Sequence, residues 1–310
     1  MIPHTHHYVF GHAGIKGSRY CKHIMNNADL VLVLGCRLSA QFVGHNFEAF
    51  NNAKVIVVDI DKNELLKPGV NLDTSINADV KHFLHSMIKE SYKKVLPDWS
   101  EWVYQCRNWK NKYPMIIPDG NPIDLYKFMD RLGTLSKNTD ILVTDAGSNY
   151  YIGGQVWRFE KGQREITSGT NAAMGTTIPL SIGCAVSDLN AQILAVTGDG
   201  SLELNIQELK TISHYKLNIK LFVINNGGYV SMKKWQDAFG RIIDNEDSTG
   251  AGTLNMKNIA TAFDLDYARI DDVNVIDENL TNILEKKGPL FIEVVTNNKQ
   301  RIVEAFKDES

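Results

Sequence analysis

The stretch from residue 193 to residue 239, ILAVTGDGSLELNIQELKTISHYKLNIKLFVINNGGYVSMKKWQDAF, constrains the fold of this chain more than any other. One apolar run ends in Gly198-Asp199-Gly200. A helical pattern follows, and a second apolar run ends in Asn225-Asn226-Gly227-Gly228 ahead of another helical pattern. Short apolar runs bounded by turn residues and separated by helices read as buried parallel strands with helical crossovers. A right-handed crossover makes the two strands parallel, so both turns emerge at one carboxyl edge, where open α/β sheets bind ligands. Asp199 and Asn226 are therefore expected to converge on one ion.

The same alternation runs through the whole chain and predicts an α/β protein with two doubly wound parallel-sheet domains. Residues 1–95 form the first, Rossmann-like domain, with strands over 29–35 and 54–59 and helices over 19–26 and 80–90. Between residues 96 and 122 the pattern dissolves into prolines, glycine and three tryptophans, which reads as a linker lying against the protein surface. Residues 123–310 form the second domain, with a helix over 123–132 and strands over 141–144, 193–197, 219–224 and 290–295.

Composition narrows the partners. The formal charge is −3, with acids and bases mixed along the chain, so neither a nucleic-acid face nor a polybasic membrane tract is expected. No apolar run approaches the roughly 20 residues of a membrane span, and the histidine-rich start lacks the core of a signal peptide. Cys21, Cys36, Cys106 and Cys184 lie far apart, which fits neither a zinc site nor a disulfide framework and points to a reducing cytoplasm. His4, His6, His7 and His12 have no carboxylate or cysteine at ligand spacing and read as loop histidines.

The paired turns carry a specific chemistry. Magnesium takes hard oxygen ligands in an octahedron and shares them with substrate phosphates. The Asp199 carboxylate, the Asn226 amide oxygen and the Gly228 carbonyl would leave positions for two phosphate oxygens and a water. Gly198 and Gly200 would allow a tight turn and close backbone approach, while amides around Ser201 and after Tyr229 would face the anion. Together these parts describe a diphosphate clamp. Either turn alone would be an ordinary strand-to-loop connection.

Gly198-Asp199-Gly200 followed by Asn225-Asn226 resembles the fingerprint of thiamine diphosphate-dependent enzymes, and the resemblance extends over nearly all of the chain. It implies thiamine diphosphate and Mg2+ as cofactors, with Asp199, Asn226 and the Gly228 carbonyl as metal ligands. Residues 168–175, SGTNAAMG, resemble the loop on which the cofactor's aminopyrimidine rests. In that comparison Met174 is the apolar wedge behind the cofactor's bent conformation, and the Ala172 carbonyl receives the exocyclic amine. Such a bend sets the amine beside the carbon that must lose a proton, so proximity replaces a strong external base. Without the neighbouring fingerprint, Met174 would read as a core gap-filler.

Two further features are similar to acetolactate synthases. Trp235-Gln236 resembles a pair whose tryptophan lines the substrate approach, although an aromatic at helical spacing also suits a core. Phe10-Gly11-His12-Ala13-Gly14, Leu34-Gly35-Cys36-Arg37-Leu38 and Val58-Asp59-Ile60-Asp61 resemble the family's central domain. Some members bind FAD there. Gln41 stands where acetolactate synthases usually place a flavin-contacting arginine, which argues against FAD in this chain. The residues around Asn171 and Asn225 are more similar to homologues from surface-polysaccharide and deoxysugar pathways than to the amino-acid biosynthetic enzyme.

The resemblance implies decarboxylation of a 2-oxo acid such as pyruvate, with carboligation to a carbonyl acceptor. The alternatives are a non-ligating decarboxylase and a catalytically silent cofactor-binding subunit. The family's N-terminal pyrimidine-binding domain, which supplies a glutamate that protonates the aminopyrimidine, has no counterpart here, and no glutamate of this chain fits that role by motif. A fragment, a split gene product or pairing with a pyrimidine-domain polypeptide is therefore expected, within a homo-oligomer or mixed assembly. A dinucleotide-dependent dehydrogenase fits less well, because no GxGxxG directly follows a strand.

Overall fold

The computed structural model describes residues 2–43, 50, 52–67, 69–115, 117–137, 139–240, 252–300, 302 and 303. The chain divides into two compact units, residues 10–115 and residues 116–302 joined by residues 1–9. Both are α/β with parallel sheets, as the strand pattern predicts.

The unit of residues 10–115 holds α1 (Arg19–Asn27), β1 (Leu30–Leu34), α2 (Ala40–Val43), β2 (Lys54–Asp59), α3 (Lys62–Leu66), β3 (Thr74–Asn77), α4 (Val80–Ser91) and α5 (Ser100–Lys112). The strands lie in the order β1-β2-β3, all parallel. Val33, Val55 and Val57 of the strands share a core with Leu38, Val43 and Phe50. Asp79 caps α4 by accepting from the His82 N–H at 3.0 Å.

The stretch 96–122, read as a linker, contains the 13-residue helix α5. Val103 and Cys106, three positions apart on one helical face, are buried. Trp102 and Trp109 meet edge to face at 5.7 Å, and Tyr113 stacks on His23 of α1 at 4.2 Å. The prolines cluster outside residues 100–112, so nothing within that span breaks a helix.

The second unit holds α6 (Leu125–Leu135), β4 (Ile141–Thr144), α7 (Ser148–Val156), β5 (Arg164–Thr167), α8 (Thr177–Ser187), β6 (Ile193–Gly198), α9 (Asp199–Leu202), α10 (Leu209–His214), β7 (Ile219–Asn225), α11 (Val230–Ala238), α12 (Met256–Ala262), β8 (Tyr267–Ile270), α13 (Ile276–Glu285) and β9 (Leu290–Val295). Its six strands are parallel in the order β5-β4-β6-β7-β9-β8. The central strands are buried on both faces, which is why they read as unbroken apolar runs. Ile219, Leu221 and Val223 join a core with Ile178, Leu209 and Met256 on one face. Phe222, of opposite orientation, meets Phe128 of α6 edge to face at 5.5 Å on the other.

In β7 one charged residue departs from this pattern. Lys220 is fully buried near the amino end of β7, where its Nζ donates to the carbonyl of Gly288 at 2.5 Å and to Asn218 Oδ1 at 3.3 Å. Burial, aided by Lys286 and opposed by Asp140, pulls its pKa down to about 8. The folded chain thus sheds this proton before the unfolded chain, whose lysine titrates near about 10.4. Below about pH 8 the burial penalty is felt in full, and it is relieved as pH rises toward the unfolded value. In denaturant melts, the stability of wild type relative to Lys220→Met should accordingly rise by on the order of 2–3 kcal/mol between pH 7 and pH 10.5. A pH-independent difference would show that the lysine stays charged in the fold.

Candidate functional site

The order of strands in the larger sheet creates a natural crevice. From β4 the chain passes to β5 on one side and then returns to β6 on the other, so the connections leaving β4 and β6 diverge. Open parallel sheets bind ligands at the carboxyl ends of strands where the order reverses in this way. Asp145 directly follows β4, and Asp199 directly follows β6.

The two turns singled out in the sequence meet at this edge. Gly198 is in register with Ile224, which brings the residues after β6 and β7 side by side. Asp199 is buried, and its Oδ2 accepts from the Gly227 N–H at 3.1 Å and the Gly228 N–H at 3.0 Å. Its Oδ1 accepts from the Gly200 N–H at 2.8 Å. Gly227 and Gly228 have φ of +79° and +125°, backbone that side-chain-bearing residues rarely adopt, and this turns both amides toward the carboxylate.

The Asn226 side-chain oxygen is buried and accepts no hydrogen bond. Leaving such an oxygen unpaired costs about 1–3 kcal/mol, so its presence in the turn whose amides bind a buried carboxylate calls for a ligand that binds oxygen. A divalent hard cation meets that need. The Gly228 carbonyl accepts from the Val230 N–H at 3.0 Å and retains a second lone pair for a metal. Burial pushes the Asp199 carboxyl above the usual range, opposed by the N–H groups of Gly200, Gly228, Asn226 and Gly227. Among the described residues no cluster of three or more His, Cys, Asp or Glu stands ready for a metal. One carboxylate and one or two neutral oxygens instead suit magnesium that takes its remaining ligands from a phosphate-bearing molecule and water.

Close approach, more than a tight turn, accounts for the glycines of the first turn. Gly198 has φ −82° and ψ 160°, ordinary extended backbone, and a Cβ there would meet nothing within 4 Å. Its contribution is open space next to Asp199 rather than a strained turn. At Gly200 a Cβ would lie 2.5 Å and 2.7 Å from atoms of the Tyr229 ring. Gly200→Ala should therefore displace Tyr229, changing the near-ultraviolet circular dichroism and weakening diphosphate binding severalfold. An unchanged spectrum would mean that the ring accommodates the methyl without moving.

The helix expected after the first turn is broken. The single turn α9, which contains the buried Ser201, leads into a 3-10 segment, Glu203–Glu208, and only then into α10. Asn205, at φ −139° and ψ 32°, marks the kink. The kink lets Asn205 Nδ2 reach the carbonyl of Gly175 at 2.8 Å, a long-range bond that sequence periodicity cannot show.

That bond brings in the second candidate segment. Ala172 has the left-handed φ of +43°, and both it and Met174 are half-buried. Gly175 has φ +76°, and a Cβ on it would lie 2.6 Å from the Cβ of Leu204. The loop therefore lies against the chain that follows Asp199.

Sequence reading missed Asp145. It is fully buried; its Oδ2 accepts from Thr197 Oγ1 at 3.0 Å and the Gly175 N–H at 3.1 Å, and its Oδ1 accepts from Asn149 Nδ2 at 3.3 Å. Burial raises its carboxyl pKa against these donors. The signal available was its place, an aspartate directly after a buried strand, as at Asp199. Trp235 and Gln236 fall in α11, which begins directly after Tyr229. Gln236 is half-buried, and the side chain of Trp235 lies outside the described residues.

Comparison with known proteins agrees with this geometry. Residues 145–294 match the thiamine pyrophosphate enzyme C-terminal TPP-binding domain, and residues 1–87 match the central domain of the same enzymes. The acetolactate synthase large subunit of Cyanidium caldarium is 28% identical over 290 residues, covering 92% of this chain and 49% of that protein. The acetolactate synthase isozyme 1 large subunit of Escherichia coli is 28% identical over 309 residues, covering 97% and 53%. The chloroplastic acetolactate synthase 2 of Nicotiana tabacum is 28% identical over 312 residues, covering 95% and 47%. The chain spans about half the length of these curated relatives.

Proposed function

Since the chain belongs to the acetolactate synthase-like thiamine pyrophosphate enzymes, we propose that it forms the metal- and diphosphate-binding part of an enzyme that decarboxylates a pyruvate-like 2-oxo acid and ligates the remainder to a carbonyl acceptor. The observation that carries this reading is the unpaired, buried side-chain oxygen of Asn226, in the turn whose Gly227 and Gly228 amides grip the Asp199 carboxylate. Asp199, Asn226 and the Gly228 carbonyl would hold Mg2+, and the space left by Gly198 and Gly227 would admit the diphosphate.

Bound thiamine diphosphate supplies the electron sink that makes loss of carbon dioxide from a 2-oxo acid accessible. The chain's own residues bind and orient. Asp199 brings the one negative charge to the metal, and burial strengthens that attraction by excluding water. Ala172, left-handed and half-buried, would offer its carbonyl to the aminopyrimidine, and Met174 would supply an apolar surface for it. Gly200 gives Tyr229 room to pack over the first turn, keeping Ser201 and its neighbours dry. Trp235 and Gln236 would border the substrate approach. A pyrimidine-binding domain would complete each site, in a homo-oligomer or a mixed assembly.

Product analysis tests this directly. The protein, supplied with thiamine diphosphate, Mg2+, pyruvate and a polypeptide carrying the pyrimidine-binding domain, should release carbon dioxide and form acetolactate, or a branched sugar when a ketosugar is offered. Acetaldehyde alone would replace ligation by simple decarboxylation. Absence of carbon dioxide release, despite cofactor binding, would leave a cofactor-binding subunit without activity.

A further inference from the structure

The peptide at Gly175 is held from both sides. Its N–H donates to Asp145 Oδ2 at 3.1 Å, and its carbonyl accepts from Asn205 Nδ2 at 2.8 Å. The same Asp145 oxygen accepts from Thr197 Oγ1 at 3.0 Å, and Thr197 stands two residues before Asp199. Asn205 stands six residues after Asp199, at the kink that interrupts the helix. Gly175 is thus tied to the chain just before the metal turn and to the chain just after it. Leu204 closes the remaining side, with no space for a side chain on Gly175.

Among the described residues, the segment between this anchor and β5 is held by few other bonds, none as central as those at Gly175. Gly169 and Ala172 both have left-handed φ; the Ala172 N–H donates to the Gly169 carbonyl and the Gly169 N–H to Thr167 Oγ1, while the Tyr150 hydroxyl donates to the Gly169 carbonyl at 3.5 Å and Thr176 Oγ1 to the Ala173 carbonyl at 3.0 Å. A loop held so lightly samples many arrangements once released, and a ligand that needs one of them must supply the ordering free energy.

We propose that Asp145 and Asn205 are positioning residues that lock the Ala172–Met174 loop in one register with the Asp199 turn, so that both ends of a single extended cofactor meet their contacts together. This rests on the function proposed above, in which that cofactor is thiamine diphosphate. Neither side chain touches the cofactor; each acts through Gly175. Losing either one should weaken a ligand that spans both segments and spare a ligand that occupies the metal turn alone.

Calorimetric titrations with Mg2+ separate these ligands, using thiamine diphosphate as the spanning one and inorganic pyrophosphate as the short one. In Asn205→Ala and Asp145→Asn, thiamine diphosphate affinity should fall roughly tenfold while pyrophosphate affinity changes by less than about twofold. Asn205 is only half-buried, so its removal leaves the core intact, and that variant decides the matter if Asp145→Asn does not fold. Equal weakening of both ligands in Asn205→Ala, or no weakening of either, overturns the proposal. A wild-type protein that binds pyrophosphate with Mg2+ but gains nothing from the thiamine portion overturns the proposed function itself, and the inference with it.

Discussion

Asp199→Asn is expected to abolish magnesium-dependent binding of thiamine diphosphate, weakening it by at least about 100-fold, equivalent to about 2.7 kcal/mol. The substitution keeps the shape of the side chain and removes the one negative charge among the proposed ligands. The fold should tolerate it. In the wild type, backbone amides including those of Gly200, Gly227 and Gly228 donate to the carboxylate. An asparagine oxygen keeps the Gly227 and Gly228 bonds, while its amide group faces the Gly200 N–H as a second donor. That mismatch costs about 1–2 kcal/mol, and relief from burying a charge partly offsets it. Calorimetry should thus show lost binding, while thermal melting moves by only a few degrees. Retention of wild-type affinity in Asp199→Asn would remove the metal from this turn.

Gly175→Ala should produce the largest loss of stability among the substitutions considered. A left-handed φ of +76° costs an alanine about 1 kcal/mol. The new methyl would also lie 2.6 Å from the Cβ of Leu204, an atom that no rotamer change can move, and 3.2 Å from Asn205 Nδ2. Backbone shifts of this sort typically cost 1–3 kcal/mol. A total of roughly 2–4 kcal/mol should appear as a lower midpoint in denaturant unfolding, together with weaker thiamine diphosphate binding. A variant with wild-type stability would mean that the loop lies away from Leu204.

Most of the legible strands lie inside their sheets; β1, an edge strand with Leu30 and Leu32 exposed, is legible because its run LVLVL is unbroken. β1, β2, β4, β6, β7 and β9 lie within about a residue of the apolar runs that predict them. The strands not foreseen, β3, β5 and β8, all lie at sheet edges, with the sequences TSIN, REIT and YARI. These three carry polar or charged residues alongside their apolar ones, so no continuous apolar run marks them, and each is drawn into the sheet by its neighbour's hydrogen bonds. α5 was hidden for another reason, because tryptophans and charges masked a helical spacing that only its packing on α1 reveals.

At the candidate site, sequence order alone implied that the Asp199 and Asn226 turns share an edge, and their mutual hydrogen bonding agrees. The contributions of Asp145 and Asn205 were out of reach of pattern reading. Each acts across the fold, over a sequence separation of 30 residues, through a backbone group rather than a motif partner. Gly198 was expected to allow a tight turn and close backbone approach; its backbone is extended, and the empty space beside it suits the close approach alone.

The measurement closest to the central claim is anomalous diffraction from crystals grown with Mn2+ and thiamine diphosphate. The metal should lie about 2.1–2.2 Å from both an Asp199 carboxylate oxygen and Asn226 Oδ1, bridged to diphosphate oxygens, in octahedral geometry. A manganese peak elsewhere, or a bound diphosphate with Asn226 Oδ1 still unligated, would contradict a shared metal at the two turns.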